Sequence, residues 1–155
     1  MSIDITAIKK LRDETSASVI DVKKALEEAN GDVEKAKELL SVRGQAIAAK
    51  KSAERTVKAG LVETYVHNTG KIGSMVMLLC ETDFVAKNDK FKNLAHEIAM
   101  QVAACEYSSV KELLEDDYIK DGSKKIGDLV TEAIAKIGEK IEVGKFVRFS
   151  VGDLA

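Results

Sequence analysis

The strongest constraint on the fold is a strand-like apolar run that passes directly into a helix-like pattern. Residues 75–79 are all apolar, as in a buried strand, and Asn88 or Asp89 can then cap a helix. Because the two elements leave only residues 80–88 between them, the connection is fixed at both ends. The apolar positions that recur at helical spacing after the cap are Phe91, Leu94, Ala95, Ile98, Ala99, Val102 and Ala103.

This connection places an acid beside an aromatic ring, Asp83 and Phe84. Two interpretations are open from the residues alone. A Phe at a strand end usually belongs to the core, and an Asp there usually caps the next helix. A ring and a carboxylate held between rigid elements can instead insert into a partner protein. Spacing alone favours the first interpretation.

A β-hairpin and a closing strand complete a predicted antiparallel sheet of three strands. The hairpin joins residues 61–67 to residues 72–79 through a turn, and the closing strand covers residues 145–151. Further helices are predicted at about residues 110–114 and 124–136. Helices combined with antiparallel strands make this part of the chain an α+β fold.

The N-terminal part predicts three short helices. Thr6 can cap the first, the second covers about residues 18–30 and stops at Gly31, and the third begins at Asp32 and ends near Gly44. The Ala-rich and charged segment that follows predicts a helical connector. We therefore expect a three-helix bundle at residues 1–44, a helical linker at residues 45–59 and a sheet-and-helix core at residues 60–155.

Val19 and Ile20 are adjacent, so they cannot both point into one helical core stripe. At least one of them is expected to be exposed. An exposed apolar pair is either a docking surface or one of the scattered apolar residues that most protein surfaces carry.

Composition excludes several classes of function. No stretch approaches the roughly 18 to 20 apolar residues of a membrane span, and the first residues lack the pattern of a signal peptide, so we expect a cytoplasmic protein without a membrane segment. The formal charge of −2 argues against direct nucleic-acid binding. Four basic residues lie close together in sequence and could contact phosphate: Lys50, Lys51, Arg55 and Lys58. An exposed helix face explains this cluster more simply.

Signals of catalysis are weak, and we predict no enzyme, no metal and no cofactor. The two histidines, His67 and His96, have no partner at metal-ligand spacing, and no glycine-rich phosphate loop is present. A nucleophile set of Cys80, His67 and Asp83 is disfavoured because a cysteine in a buried strand has a raised pKa and little thiolate. Cys80 and Cys105 are interpreted as reduced core thiols.

Several segments together resemble the translation elongation factor Ts family of bacteria and organelles. Residues 11–26 and 28–32 are similar to its N-terminal module, a three-helix fold like ubiquitin-associated (UBA) domains, although that module normally has Gly at the positions of Ser16 and Ser18. Residues 82–88 are similar to its most diagnostic loop. The motifs that carry the rest of the resemblance are Gly70-Lys71-Ile72-Gly73, Cys80-Glu81, Thr82-Asp83-Phe84-Val85-Ala86-Lys87-Asn88 and Ile137-Gly138-Glu139-Lys140.

The resemblance implies an exchange factor that releases GDP from the GTPase elongation factor Tu. It assigns contact with a helix of the GTPase to Leu11, Val19 and Ile20. It places the ring of Phe84 as a wedge beside the nucleotide site and Asp83 near the magnesium region, with Thr82 and Val85 in the same contact.

Many relatives carry two versions of the core, whereas this chain has one. The resemblance therefore implies a homodimer and a two-to-two complex with elongation factor Tu. The closing strand, expected to be exposed at Phe146 and Phe149, is a candidate interface. A rival hypothesis is a peptide-binding adaptor built on the N-terminal bundle, with the sheet as its scaffold.

Overall fold

The computed structural model of the chain describes residues 4–154, apart from the side chains of residues 51, 52 and 154. Three helices are followed by a hairpin, further helices with a second small hairpin, and a final strand. The helices are α1 (Ile5–Thr15), α2 (Val19–Glu28), α3 (Val33–Glu54), α4 (Asp83–Ala86), α5 (Asp89–Ala104), α6 (Val110–Glu115) and α7 (Ile126–Ile137). The strands are β1 (Ala59–Val66), β2 (Ile72–Cys80), β3 (Asp117–Tyr118), β4 (Asp121–Lys125) and β5 (Glu142–Ser150), and a 3₁₀ turn follows at Val151–Leu154.

Side-chain caps start the first three helices. Asp32 accepts from the amides of residues 34 and 35 to begin α3, as predicted. Ser18 accepts from the amide of residue 21 to begin α2. The prediction that Thr6 caps α1 is wrong, because Asp4 accepts from the Thr6 amide at 3.0 Å and takes the cap position two residues earlier.

The N-terminal helices enclose a small apolar core of their own. Each of the three helices contributes to it, and the turns between them are tight enough to need left-handed residues, Gly31 at φ 85° as predicted and Ser16 at φ 54°. The buried residues of this bundle core are Leu11, Val22, Ala25, Leu26, Ala29, Ala36 and Leu40.

The third helix does not end near Gly44 as we predicted. It continues to Glu54, through a segment rich in Ala, the strongest helix former. A Cβ at Gly44 would lie 3.4 Å from the Cβ of Ala135, so the glycine serves close packing of α3 on α7 rather than helix termination. Ala48, 4% exposed, belongs to the core beneath the sheet. The end of α3 therefore packs against the second half of the chain.

The predicted antiparallel sheet is confirmed, with strand order β1-β2-β5. Tyr65 pairs with Ser74 in the hairpin, and Met75 pairs with Val147 across the second ladder. Helix α5 covers one face, and all seven of its predicted apolar positions are buried. The α+β architecture, with N-terminal helices before the sheet, is therefore as the sequence predicted. The largest residues of this main core are Val76, Leu78, Phe91, Ile98, Leu113 and Ile126.

The opposite face of the sheet is apolar and exposed. We predicted that Phe146 and Phe149 are both exposed, which is wrong for Phe146. Residues three apart on a strand point to opposite faces, so Phe146 turns inward, where its ring meets that of Tyr107 edge to face at 6.4 Å. Phe149 remains 73% exposed. The other exposed apolar residues of this face are Val62, Val66, Met75 and Val147.

The sequence patterns did not predict the short hairpin of β3 and β4, whose strands are only two and five residues long. It packs near a fully buried Gln101, whose amide donates to the Tyr107 hydroxyl at 2.8 Å and accepts from the Ile119 amide at 3.0 Å. None of the helices in the part described here is long and apolar enough to cross a bilayer.

Candidate functional site

The candidate site is the turn between β2 and α5, residues 82–87, here called the α4 turn. Thr82 is the N-cap of α4, and its hydroxyl accepts a hydrogen bond from the Val85 amide at 3.4 Å. Val85 and Ala86 are buried at 6% and 8% exposure, whereas the ring of Phe84 is 85% exposed and Asp83 beside it is exposed too. Two residues thus fix the turn to the core while the two before them face outward.

The carboxylate of Glu139 binds the base of this turn. It accepts from the Glu81 amide at 3.2 Å and from the Thr82 amide at 3.0 Å through Oε1, while Oε2 accepts from the Thr82 hydroxyl at 2.8 Å. Glu139 lies in the connection between α7 and β5, which is distant in sequence. Hydrogen bonds to a charged acceptor are stronger than neutral ones, so the two connections are firmly joined.

A reciprocal bond returns from the second connection to the first. The Lys140 amide donates to the Glu81 carboxylate at 2.7 Å. Arg55, the first residue after α3, lies 3.4 Å from both Glu81 oxygens and 3.5 Å from the carbonyl oxygen of Gly138. We call this group of Arg55, Glu81, Glu139 and Lys140 the carboxylate clasp.

The second predicted contact surface lies at the start of α2. Val19 is 43% exposed and Ile20 is 66% exposed, so both members of the pair face solvent. Leu11 is fully buried in the bundle core, and the structure therefore does not support a direct partner contact through its side chain. The same burial argument applies to Val85 in the α4 turn.

The two surfaces belong to different cores. The helix that carries Val19 and Ile20 buries Val22, Ala25 and Leu26 in the bundle core. The turn that carries Phe84 buries Val85 and Ala86 in the main core. A partner that contacts both surfaces would therefore touch two separately packed parts of the chain.

The structure separates His67 from Cys80 in the nucleophile set that we disfavoured. Cys80 pairs with Ala59 at one end of the β1–β2 hairpin, whereas His67 follows Val66, which pairs with Gly73 at the other end. Cys80 is fully buried, and burial raises the pKa of its thiol. Among the described residues no group of three His, Cys, Asp or Glu side chains is arranged to hold a metal ion.

Comparison with known proteins identifies the family. The family model for elongation factor Ts matches residues 81–155, which include the α4 turn and Glu139. The elongation factor Ts of Thermotoga maritima is 40% identical over 196 aligned positions that cover 99% of this chain and 98% of the relative. The chain belongs to the elongation factor Ts family. It is accordingly a factor of translation elongation.

Other elongation factor Ts proteins differ in how much of their length this chain matches. The protein of Coprothermobacter proteolyticus is 39% identical, with 99% of this chain and all of the relative covered. That of Clostridium acetobutylicum is 48% identical over 96% of this chain but only 48% of its own length. The alignment with the Thermotoga maritima protein has more positions than this chain has residues, so that relative contains residues that this chain lacks.

Sequence reasoning found the turn but missed the clasp. Glu139 was noticed only as part of a family motif, and Arg55 was grouped with an exposed basic helix face. No local spacing could pair Glu139 with Thr82, because the two are brought together by the sheet register and the packing of α7. The one available signal was that two of the motifs that carry the resemblance contain a glutamate, Glu81 in the first and Glu139 in the second.

Proposed function

We propose that this chain is a guanine nucleotide exchange factor for elongation factor Tu and that it acts by inserting the α4 turn beside bound GDP and Mg²⁺. The observation that carries the proposal is the 85% exposure of Phe84 on a turn whose next two residues are buried. Such a ring can enter a partner without first leaving its own core, so little of the binding energy is spent on rearrangement.

In this proposal the ring and the acid have separate tasks. The ring of Phe84 wedges between side chains of the GTPase, where a buried aromatic anchor contributes about 2 kcal/mol or more. Asp83 lies near the magnesium region and Thr82 completes the contact, while Val85, which is buried, supports the turn from the core side. Loss of the Mg²⁺ bridge leaves the diphosphate charge poorly neutralised, so GDP dissociates faster. No covalent bond is made or broken, and GDP and Mg²⁺ are both bound by the GTPase rather than by this chain.

The N-terminal bundle, residues 1–44, is proposed as a UBA-like domain that holds a helix of the GTPase through Val19 and Ile20. Leu11 then acts from beneath by supporting α1 and α2, since it is fully buried. Residues 45–59 serve as the linker, most of it the extension of α3, and residues 60–155 form the core domain. We place this activity in the cytoplasm.

We further propose that two copies associate and give a two-to-two complex with elongation factor Tu. The support is the exposed apolar outer face of the sheet, in which Phe149 and Val66 are 73% and 67% exposed. Sedimentation should show a dimer at micromolar concentration, and Phe149→Asp should shift it toward monomer. A native chain that sediments as a monomer would remove this part of the proposal.

The direct test follows release of labelled GDP from elongation factor Tu into excess unlabelled nucleotide. The native chain should accelerate release, Phe84→Ala should lose most of that acceleration, and Ile20→Asp should require a higher concentration for the same effect. Ile119→Ala, which truncates an exposed apolar side chain on the small hairpin, is the matched control. Equal release with and without the native chain would contradict the proposal.

The adaptor hypothesis keeps one observation in its favour, the exposed pair Val19 and Ile20. It predicts a partner whose binding to the native chain is abolished by Ile20→Asp and unaffected by Phe84→Ala. The exchange assay separates the two hypotheses, because an adaptor would not accelerate GDP release.

A further inference from the structure

We propose that Glu139 is a positioning residue that fixes the direction in which the α4 turn presents Phe84. The ring buries little of its own surface, so its direction is set by the backbone of the turn rather than by packing of the ring. The part of the inference that concerns exchange rests on the function proposed above. The part that concerns the turn is a property of the free chain.

The contacts of Thr82 show how Glu139 reaches the turn. The Thr82 hydroxyl has a single hydrogen, which it donates to Glu139 at 2.8 Å. Its lone pairs then face the Val85 amide, which donates to it at 3.4 Å. Glu139 therefore orients the Thr82 hydroxyl, which caps the start of α4. The Thr82 amide also donates to Glu139 at 3.0 Å, so Thr82 is held through its backbone as well.

The rest of the carboxylate clasp ties the turn to further segments. The Glu81 carboxylate accepts a hydrogen bond from the Lys140 amide, and the Glu81 amide donates to Glu139. The β2–α5 and α7–β5 connections are therefore hydrogen-bonded in both directions. Arg55 adds the end of α3. Glu81 is only 18% exposed in this arrangement, which limits competition from water. A turn held by several segments cannot swing as one on a free loop can.

Direction matters for a wedge in the same way as it does for a catalytic group. A residue that supports an inserting group from behind keeps its geometry without contacting the partner. Displacement of a reacting group by about 1 Å can cost about 100-fold in rate. We therefore expect Glu139→Ala to lower the maximal rate of GDP release by about tenfold or more, while the bundle contact keeps the half-saturating concentration nearly unchanged.

The first measurement uses the free chain and amide hydrogen exchange by NMR. Glu139→Ala should reduce protection of the Thr82 and Val85 amides by about tenfold or more, and Glu139→Gln, which keeps one acceptor oxygen, should fall between it and the native chain. Glu115→Ala is the matched control, since it removes an exposed carboxylate elsewhere in the core domain. Circular dichroism melting identifies a variant that fails to fold, in which case Glu139→Gln provides the comparison.

The second measurement is GDP release with Glu139→Ala, Phe84→Ala and the double variant, each at saturating concentration. If Glu139 acts through the ring, its substitution has no further effect once Phe84 is alanine. A general loss of stability would instead slow release in both backgrounds.

The outcomes distinguish the inference from the proposed function. Unchanged protection at Thr82 and Val85 in Glu139→Ala would overturn the positioning role, as would an unchanged maximal rate beside an active native chain. A native chain that does not accelerate release, combined with lost protection in Glu139→Ala, would refute the exchange function and leave Glu139 as the residue that orders the turn.

Discussion

Two phenylalanines seven residues apart offer a sharp test of the site. Phe84 is 85% exposed, whereas Phe91 is fully buried in the main core. An aromatic side chain presents about 200 Å² of surface, so Phe84 buries roughly 30 Å², worth about 0.8 kcal/mol at about 25 cal/mol per Å². Phe91→Ala also leaves a cavity, and such truncations cost about 3–5 kcal/mol.

Urea unfolding monitored by far-UV circular dichroism measures this difference, since the chain has no tryptophan to report it by fluorescence. With a slope of about 2 kcal/mol per molar urea, Phe91→Ala should lower the midpoint by about 1.5–2.5 M, and Phe84→Ala by less than about 0.5 M. A loss of about 2 kcal/mol or more for Phe84→Ala would refute the reasoning, because the ring would then be packed in solution and unavailable to a partner.

Three further predictions concern parts of the fold that support the site. Ser16→Gly should raise the free energy of unfolding by about 0.5–1 kcal/mol in the same urea assay, because Ser16 ends α1 at φ 54°, which costs an L-residue energy that glycine avoids; an equal or lower midpoint would count against the left-handed turn. Gln101→Met should destabilise the chain by about 2–4 kcal/mol, since it removes the acceptor of the Ile119 amide and a buried donor, and a change below about 0.5 kcal/mol would show that water replaces these bonds. Burial and a hydrogen bond to Glu97 raise the pKa of Tyr118 from 10.0 to about 12, so the stability from this bond is complete below pH 10 and is lost as the pH rises toward 12. Tyr118→Phe should therefore be less stable than the native chain at neutral pH, and this difference in stability should disappear between pH 10 and pH 12. Urea midpoints measured along that pH range test this, and a constant difference would contradict the Tyr118–Glu97 hydrogen bond as its cause.

The elements that could be predicted from the sequence are those whose signal is local. The seven buried positions of α5 follow from their spacing, and Asn88 and Asp32 follow from capping chemistry. The hairpin follows from two apolar runs around a short turn. Such patterns involve residues within a few positions of one another, so they survive without knowledge of the fold.

The features that were missed depend on distant contacts. Gly44 has the form of a helix stop, but its meaning is set by Ala135 on another helix. The error at Phe146 is different, because it was expected to be exposed together with Phe149 although their spacing of three on a strand already places them on opposite faces. Glu139 lies far from Thr82 in sequence, so only the assembled sheet and α7 bring its carboxylate to the turn.

The candidate site divides in the same way. An acid and a ring in a short connection indicated a functional turn, and the structure adds that Phe84 is exposed while Val85 is buried. At the bundle, adjacency alone required one of Val19 and Ile20 to be exposed, and both are. That Leu11 is fully buried could not be inferred from its helical position, because the opposing helix decides which face is covered.

The measurement that tests the central claim most directly is the coupling between GDP and this chain on elongation factor Tu. If the Phe84 wedge weakens GDP, then GDP must weaken binding of the chain by the same factor. The account predicts that the chain binds the nucleotide-free GTPase at least about tenfold more tightly than the GDP form, a coupling of about 1.4 kcal/mol, and that Phe84→Ala removes most of this difference. Equal affinities of the native chain for the two forms would contradict the account.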